Sequence, residues 1–332
     1  MAGFEENEVS LNANGGTELA KRDLGRLLPP DLLDNFQIIC SRVRDLDESK
    51  IRIYWVHDLP QDPECNKLAD VNFRNKFHKI VYVSNWQYSQ FRTVLNLPYS
   101  DKDIVIENGI EPIEPNPNRS NDKINLIYTS TPQRGLNILV PVFELIQQHH
   151  EDIHLHVFSS FNIYGWPQMD EKFQELFQRC KDNPGITYHG FQPYDKVREQ
   201  LANSHIFAYP SIWEETSCRA LIEAMSAGLL CVHPNYGALS DTSGSLNLMY
   251  HGDDNLQQHA ATFANALHSA IAQLRQNKVN NYLEFVKNYA DNRFNLPKIA
   301  KQWEWLLTDL SNKYDTLESR KIKSEEFVFI TG

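Results

Sequence analysis

The sequence predicts an α/β protein made of two successive parallel-sheet halves. Three observations point there. Short β-branched or aromatic runs alternate with helical stretches of about 10–15 residues, the spacing of βαβ units. A polar segment, Glu111–Asp122, carries three Pro and several Asn and interrupts that alternation once. The chain has 332 residues, 41% of them hydrophobic, enough for two cores of roughly 100–200 residues each.

In the first half, strands are expected at Phe36–Cys40, Ile51–Val56, Ile80–Ser84 and Ile104–Glu107. Asn85–Leu97 reads as a helix that Ser84 can cap by accepting from its free N–H groups. After the connector, strands are expected at Ile124–Thr129, His154–Ser159, Ile186–His189, Ile206–Tyr209 and Leu229–Val232. Helices are expected between them at Gly135–His149, Met169–Cys180, Tyr194–Asn203 and Ser217–Ala227. Long helical patterns follow at Gln257–Gln276, Val279–Asp291 and Pro297–Leu310, and Ser311–Gly332 reads as a loose charged tail. The N-terminal stretch Met1–Ala13 is too polar for a good strand. No short repeat occurs. Two α/β halves place ligand sites at strand C-termini and between the halves.

Composition excludes several classes. With 32 Lys and Arg against 43 Asp and Glu the formal charge is −11. A duplex nucleic-acid binder needs cations to displace counterions from phosphates, so none is expected. An obligate docking surface for anionic lipid is disfavoured on the same ground. The cluster Arg74, Lys76, His78 and Lys79 leaves peripheral membrane contact open, although a solvated helix face is the plainer reading. Five widely spaced Cys form no C-x-x-C pair, which suits a reducing compartment and a cytoplasmic protein. The acidic start is unlike a signal peptide, and no run of 18 apolar residues exists to span a membrane.

The most informative stretch runs from Tyr209 to Gly228 (YPSIWEETSCRALIEAMSAG). An apolar strand enters a polar turn, and a helix follows. Thr216 or Ser217 can cap that helix, and Gly228 can end it in the left-handed conformation. Such a turn offers backbone N–H groups and the positive end of a helix dipole to a phosphate. Glu215 lies just before the helix, and Glu223 about two turns further along. Carboxylates on a solvent face would explain most such residues. Glu223, however, sits in the apolar stretch Ala220–Met225.

These residues resemble retaining glycosyltransferases of the GT-B fold, specifically family 4. That family carries Glu-x7-Glu followed by Ala-Met-x-x-Gly, matched here by Glu215, Glu223 and Glu223-Ala-Met-Ser-Ala-Gly228. The resemblance extends from Gly15 to about Leu310. It implies two Rossmann-like domains facing across a cleft, with a C-terminal helix crossing back to the first. The implied boundaries are 1–118 for an acceptor-side domain, 119–295 for a nucleotide-sugar domain, 296–312 for the returning helix and 313–332 for a tail.

The resemblance also assigns roles. Glu223 would bind the ribose of the donor, and Glu215 would lie beside the donor sugar. Thr216 and Ser217 stand where many members have glycines, their N–H groups facing the distal phosphate. The family's basic pair after the first strand of its second domain is usually Arg, then Lys-Gly. Here Arg134-Gly135 fits the second position, and the earlier Arg is absent, with Ser130 near its place. Arg134 would stabilise negative charge on the leaving diphosphate, helped by Ser130 or Thr131. Asn14-Gly15-Gly16-Thr17-Glu18 resembles the first phosphate-facing loop, and Trp55-Val-His57-Asp58 the His-bearing loop near acceptor and donor sugar. Ser84-Asn-Trp-Gln and Glu107-Asn108-Gly109-Ile110 match further landmarks, and Gly237–Asp241 the loop bordering the donor.

The implied reaction moves a sugar from a UDP- or GDP-sugar to a hydroxyl of a glycan or glycoconjugate, with retention. It needs no metal and no cofactor, and the leaving phosphate can itself take the acceptor proton. The expected catalytic residues are Glu215, His57 and Arg134. The expected donor-binding residues are Gly15, Gly16, Ser130, Thr131, Arg134, Thr216, Ser217 and Glu223. Three alternatives remain: a metal-dependent transferase using Asp45-x-Asp47 or Asp101-x-Asp103, a nucleotide-sugar epimerase, and a non-catalytic sugar-nucleotide-binding subunit.

Overall fold

The computed structural model describes residues 3–4, 13–40, 42–120 and 122–322. These form two compact units, one from 3–4, 20–107 and 297–322, the other from 13–19 and the described part of 108–296.

The first unit is built from α1 (Gly16–Leu27), α2 (Pro30–Leu33), β1 (Phe36–Ile39), β2 (Ile51–Val56), α3 (Val71–Arg74), β3 (Lys79–Tyr82), α4 (Asn85–Val94) and β4 (Asp103–Val105); α1 begins in residues of the other unit. Its parallel sheet follows chain order, β1-β2-β3-β4. Every residue of β2 is buried, as expected for a parallel strand covered on both faces. Successive side chains alternate between faces. Ile53 and Trp55 enter one core with Leu24, Val81 and Trp303, while Tyr54 and Val56 enter another with Leu68, Phe77 and Phe91. Ser84 Oγ caps α4 by accepting from Gln87 N at 3.0 Å. The buried Gln87 accepts from Val83 N and donates to Val56 O and Asp58 O, which pins the loop carrying His57.

The expectation about residues 1–13 falls mainly outside the described residues. Phe4 is buried and makes an isolated parallel bridge with Ile38, so a vestige of strand pairing does precede β1.

The second unit continues with β5 (Ile124–Thr129), α5 (Leu136–Gln147), β6 (Ile153–Phe158), α6 (Gln174–Asp182), β7 (Ile186–Tyr188), α7 (Tyr194–Ala202), β8 (Ile206–Ala208), α8 (Arg219–Ser226), β9 (Leu230–Pro234), α9 (Leu239–Ser243), β10 (Leu248–Tyr250), α10 (Leu256–Arg275) and α11 (Asn280–Arg293). Its six parallel strands run β10-β9-β8-β5-β6-β7. The chain starts in the middle of the sheet, builds outward through β6 and β7, then returns to the other side of β5 with β8. Two helices differ from expectation. Where Met169–Cys180 was expected as one helix, a 3₁₀ segment, Pro167–Phe173, precedes α6. The expected start at Ser217 moves to Arg219, with Cys218 at the N-cap and no side chain capping.

The last helix, α12 (Leu296–Lys313), belongs to the first unit, where Ile299, Trp303, Leu306, Leu307 and Leu310 join the core. Trp303 meets Trp55 edge-on at 4.9 Å. The expected loose tail is corrected for residues 314–322, because Arg320 donates to Ser49 O and Asn35 Oδ1. Residues 323–332 lie outside the described residues. Among the described residues, no helix is long and apolar enough to cross a membrane.

Candidate functional site

The order of the second sheet reverses between β5 and β8, and a crevice opens at the carboxyl ends of strands at such a switch point. The loop after β5 carries Ser130–Arg134, and the loop after β8 carries Tyr209–Cys218. Gly135 makes their approach possible. Its φ is +124°, and a Cβ there would stand 2.2 Å from Pro210 O, so only glycine fits without moving backbone.

This approach brings Arg134 to Glu215. Arg134 Nη1 donates to Glu215 Oε1 at 2.7 Å, and Tyr209 Oη donates to the same oxygen at 2.5 Å. Arg134 Nη2 reaches Tyr164 Oη at 3.4 Å, and its guanidinium lies 5.6 Å from the Trp213 ring centre. Burial is the strongest single influence and disfavours the charged guanidinium, but Glu215, followed by Tyr164, Tyr209 and Cys218, together hold the Arg134 pKa well above the usual value. Burial, then Glu215, pushes the Tyr209 phenol up, so it stays a hydrogen-bond donor.

The backbone at Glu215 is clamped from behind. Glu215 O accepts from Ala238 N at 2.7 Å. Gly237, at φ +57°, would place a Cβ 2.5 Å from Glu215 N. Asp241, expected in the same loop, lies within α9 and accepts from Arg293 Nη2 at 2.9 Å.

Glu223 forms a second buried centre. Its Oε1 accepts from Arg219 Nε at 2.8 Å and from Tyr194 Oη, and Arg219 Nη2 reaches Tyr194 Oη at 3.0 Å. Cys218 sits between the two centres. Burial first, then Glu215 and more weakly Glu223, raises its thiol well above the ordinary value, so it stays a thiol.

Other expected residues fall as follows. Ser130 Oγ lies 3.5 Å from Tyr209 Oη. Thr131 is buried, and its carbonyl accepts from Tyr128 Oη at 2.8 Å. Thr129 Oγ1, Thr131 Oγ1, Gln133 Oε1, Arg134 Nε and Ser159 Oγ are buried polar atoms without hydrogen-bond partners among the described residues, all at or just after the carboxyl ends of β5 and β6. Such atoms are costly to leave unmet, and they concentrate unsatisfied polarity at these strand ends. Thr216 and Ser217 are half-buried in the turn before α8.

Gly15 and Gly16 play unequal parts. A Cβ on Gly15 would stand 2.5 Å from Tyr164 Cε1, and Asn14 N donates to Ile163 O at 2.6 Å. Among the described residues nothing lies within 4 Å of a Cβ on Gly16. A Cβ on Gly15 would also stand 2.4 Å from Glu18 Oε2, so the tight approach is to the Glu18 and Tyr164 side chains and concerns Gly15 rather than Gly16. His57 belongs to the first unit and packs on Trp55 at 4.5 Å. Burial pushes its pKa down to about 3, so its ring is neutral near pH 7.

The rival Asp pairs have local duties. Asp47 accepts from Ser49 N and Ser49 Oγ at 2.8 and 2.6 Å. Burial raises Asp103 to about 6. In the basic cluster, Arg74 donates to Leu68 O, Lys79 to Asp101 O, and His78 bonds Arg320 O. A surface hollow of about 720 Å³ over α5 and α6 shares no residue with the site.

Sequence reasoning missed Tyr164, Tyr194, Tyr209, Trp213 and Arg219. Arg219 had a readable signal, since i,i+4 spacing sets it beside Glu223. Tyr164 had none, because it comes from a 3₁₀ turn (Phe161–Tyr164) far along the chain.

Residues 111–288, more than half of the chain, match the family model for glycosyl transferases group 1. A glycosyltransferase from Rickettsia africae shares the fold with TM-score 0.64 and 17% identity over 92% of this chain and 83% of that one. HepE of Anabaena, solved with UDP and glucose, gives 0.64 and 15% over 87% and 81%. The pneumococcal O-GlcNAc transferase GtfA, solved with UDP and GlcNAc, gives 0.65 and 10% over 88% and 60%. At these identities the likeness is one of fold, here two Rossmann-like α/β units. No curated protein matches the chain. On the family match, the chain belongs to the glycosyl transferases group 1 and is a glycosyltransferase.

Proposed function

We propose that the protein transfers a sugar from a UDP- or GDP-sugar to a hydroxyl of a glycan or glycoconjugate, with retention of anomeric configuration and without a metal. The observation that carries this reading is the buried Arg134–Glu215–Tyr209 cluster at the switch point of the second sheet. The five buried free cysteines accord with a reducing, cytoplasmic setting.

In this reading the diphosphate lies over the loop after β5. Arg134, kept cationic and oriented by Glu215, offers its remaining N–H groups to the leaving diphosphate, where charge builds up during bond breaking. Thr131 and Ser130 supply hydroxyls in place of a second cation. The Glu215 carboxylate, held by Tyr209 and by the Gly237–Ala238 backbone, stabilises positive charge developing at the anomeric carbon. Glu223 accepts from the ribose hydroxyls, oriented by Arg219 and Tyr194. The leaving phosphate takes the acceptor proton as the new bond forms on the same face. Relatives solved with UDP and sugars support the choice of donor class.

The test is release of nucleoside diphosphate from nucleotide-sugars with a chelator present, with NMR of the product to read the anomeric configuration. Turnover abolished by the chelator, an inverted product, or full turnover by Arg134→Ala would overturn this reading. A second reading, a sugar-nucleotide-binding subunit without turnover, is favoured by the pairing of Arg134 with Glu215, which already compensates the cation. Tight donor binding without product across an acceptor panel would select it.

A further inference from the structure

Two indoles stand out beside the buried charges of the second unit. Trp213 is 45% exposed and Trp166 53% exposed, although large apolar side chains gain about 1.5–3 kcal/mol from full burial. Both border Arg134. The Trp213 ring centre lies 5.6 Å from the guanidinium, and Tyr164, which the guanidinium touches, meets Trp166 at 5.5 Å.

Their supports are fixed. The buried Ser211 hydroxyl accepts from Trp213 N at 3.2 Å and donates to Trp213 O at 3.1 Å. Gly165, left-handed at φ +75°, makes the turn between Tyr164 and Trp166, and Trp166 N donates to Phe161 O at 3.2 Å. An exposed aromatic surface on a held backbone, beside a few convergent polar groups, is the make-up of a ligand wall.

We propose that Trp213 is the stacking platform for the donor's hexopyranose ring, with Trp166 forming the outer edge of the same wall. This deepens the reading of the site as a nucleotide-sugar site and rests on it. An indole face carries negative potential, and the apolar face of a pyranose presents polarised C–H bonds to it. The distance from Trp213 to the cation that would hold the diphosphate suits a sugar attached directly to that diphosphate. A stacked ring is selected by its equatorial substituents, so Trp213 sets donor specificity.

Isothermal titration of the full chain with UDP, UDP-glucose, UDP-GlcNAc, GDP and GDP-mannose tests this. Trp213→Ala is expected to weaken binding of the preferred nucleotide-sugar by roughly tenfold, and Trp166→Ala by a smaller factor. Affinity for the matching nucleoside diphosphate should stay within about twofold. Trp213→Phe, which keeps a ring, should restore most of the loss. Trp305→Ala, at a 69% exposed indole on α12, should change nothing. Equal loss for the diphosphate and its sugar, no loss for either, or a change confined to the acceptor KM would overturn the proposal while leaving the nucleotide-sugar reading intact. Wild-type protein that binds none of the five ligands would instead overturn that reading, and the proposal with it.

Discussion

The two units share parallel sheets but treat charge differently. In the first, strand order follows chain order, and burial keeps its His57 uncharged near pH 7. In the second, the order reverses between β5 and β8, and Arg134 meets Glu215 there. The difference teaches that buried charge gathers where topology opens a crevice. A reversal leaves adjacent strand ends whose following loops diverge, so backbone and charged side chains can face a ligand there. Without a reversal, the same strand ends are more readily roofed by apolar packing.

Four experiments would break or sharpen this contrast. The largest effect is expected from Arg134→Ala. It strands Glu215 with its charge buried, a loss of about 3–5 kcal/mol, read as a lower denaturant midpoint for the second unit together with loss of diphosphate release. A midpoint equal to wild type would mean that solvent already screens the pair.

Gly237→Ala comes next. Its Cβ would press on Glu215 N from a left-handed backbone, costing about 1–3 kcal/mol. Turnover should drop by roughly tenfold or more, because small misplacements at a reacting centre are amplified. Normal turnover would show that Glu215 need not be held so tightly.

The third concerns the first unit and pH. The unfolded chain takes up a proton at His57 near 6.5, while the folded chain resists until about 3. The folded pKa is depressed, so fewer protons are bound in the folded state between these values. The stability from keeping His57 neutral is therefore full above about 6.5 and declines as pH falls. Between pH 7 and pH 5 the loss from this group is about 2 kcal/mol. His57→Asn should flatten that part of the profile measured by urea titration. An unchanged slope would assign the effect to other buried imidazoles, such as His78 and His233, both pushed down to about 4.

The smallest effects come from caps. Ser84→Ala removes the bond to Gln87 N in the first unit. Asn255→Ala removes bonds to Gln257 N and Gln258 N in the second. Each should cost about 1 kcal/mol. If the units melt separately, each substitution should shift a different calorimetric transition; a common shift would show a single cooperative unit.

Much of this was legible in the sequence. Ile51–Val56 and Ile124–Thr129 match their strands residue for residue, because buried parallel strands read as continuous β-branched and aromatic runs. Ser84 and Gly228 acted as expected, since capping and left-handed termination depend on local geometry. The start of α8 was misread because Thr216 and Ser217 are good caps in isolation, whereas this turn is shaped by Gly237 and Ala238 packing on Glu215. In the basic cluster, where a solvated helix face is the plainer sequence reading, Arg74 and Lys79 instead satisfy backbone carbonyls.

By itself, the sequence determined the alternation of strands and helices, the family match and the candidate carboxylates. These are carried by local periodicity and by short motifs whose residues are near neighbours in the chain. Tertiary structure alone decided that Arg134 pairs with Glu215, 81 residues away, that Tyr164 and Gly15 close on the same place, and that Glu223 is held by Arg219 and Tyr194. The physical reason is that buried charges must find partners wherever the sheet order brings them, and strand order is not written in any local run of residues.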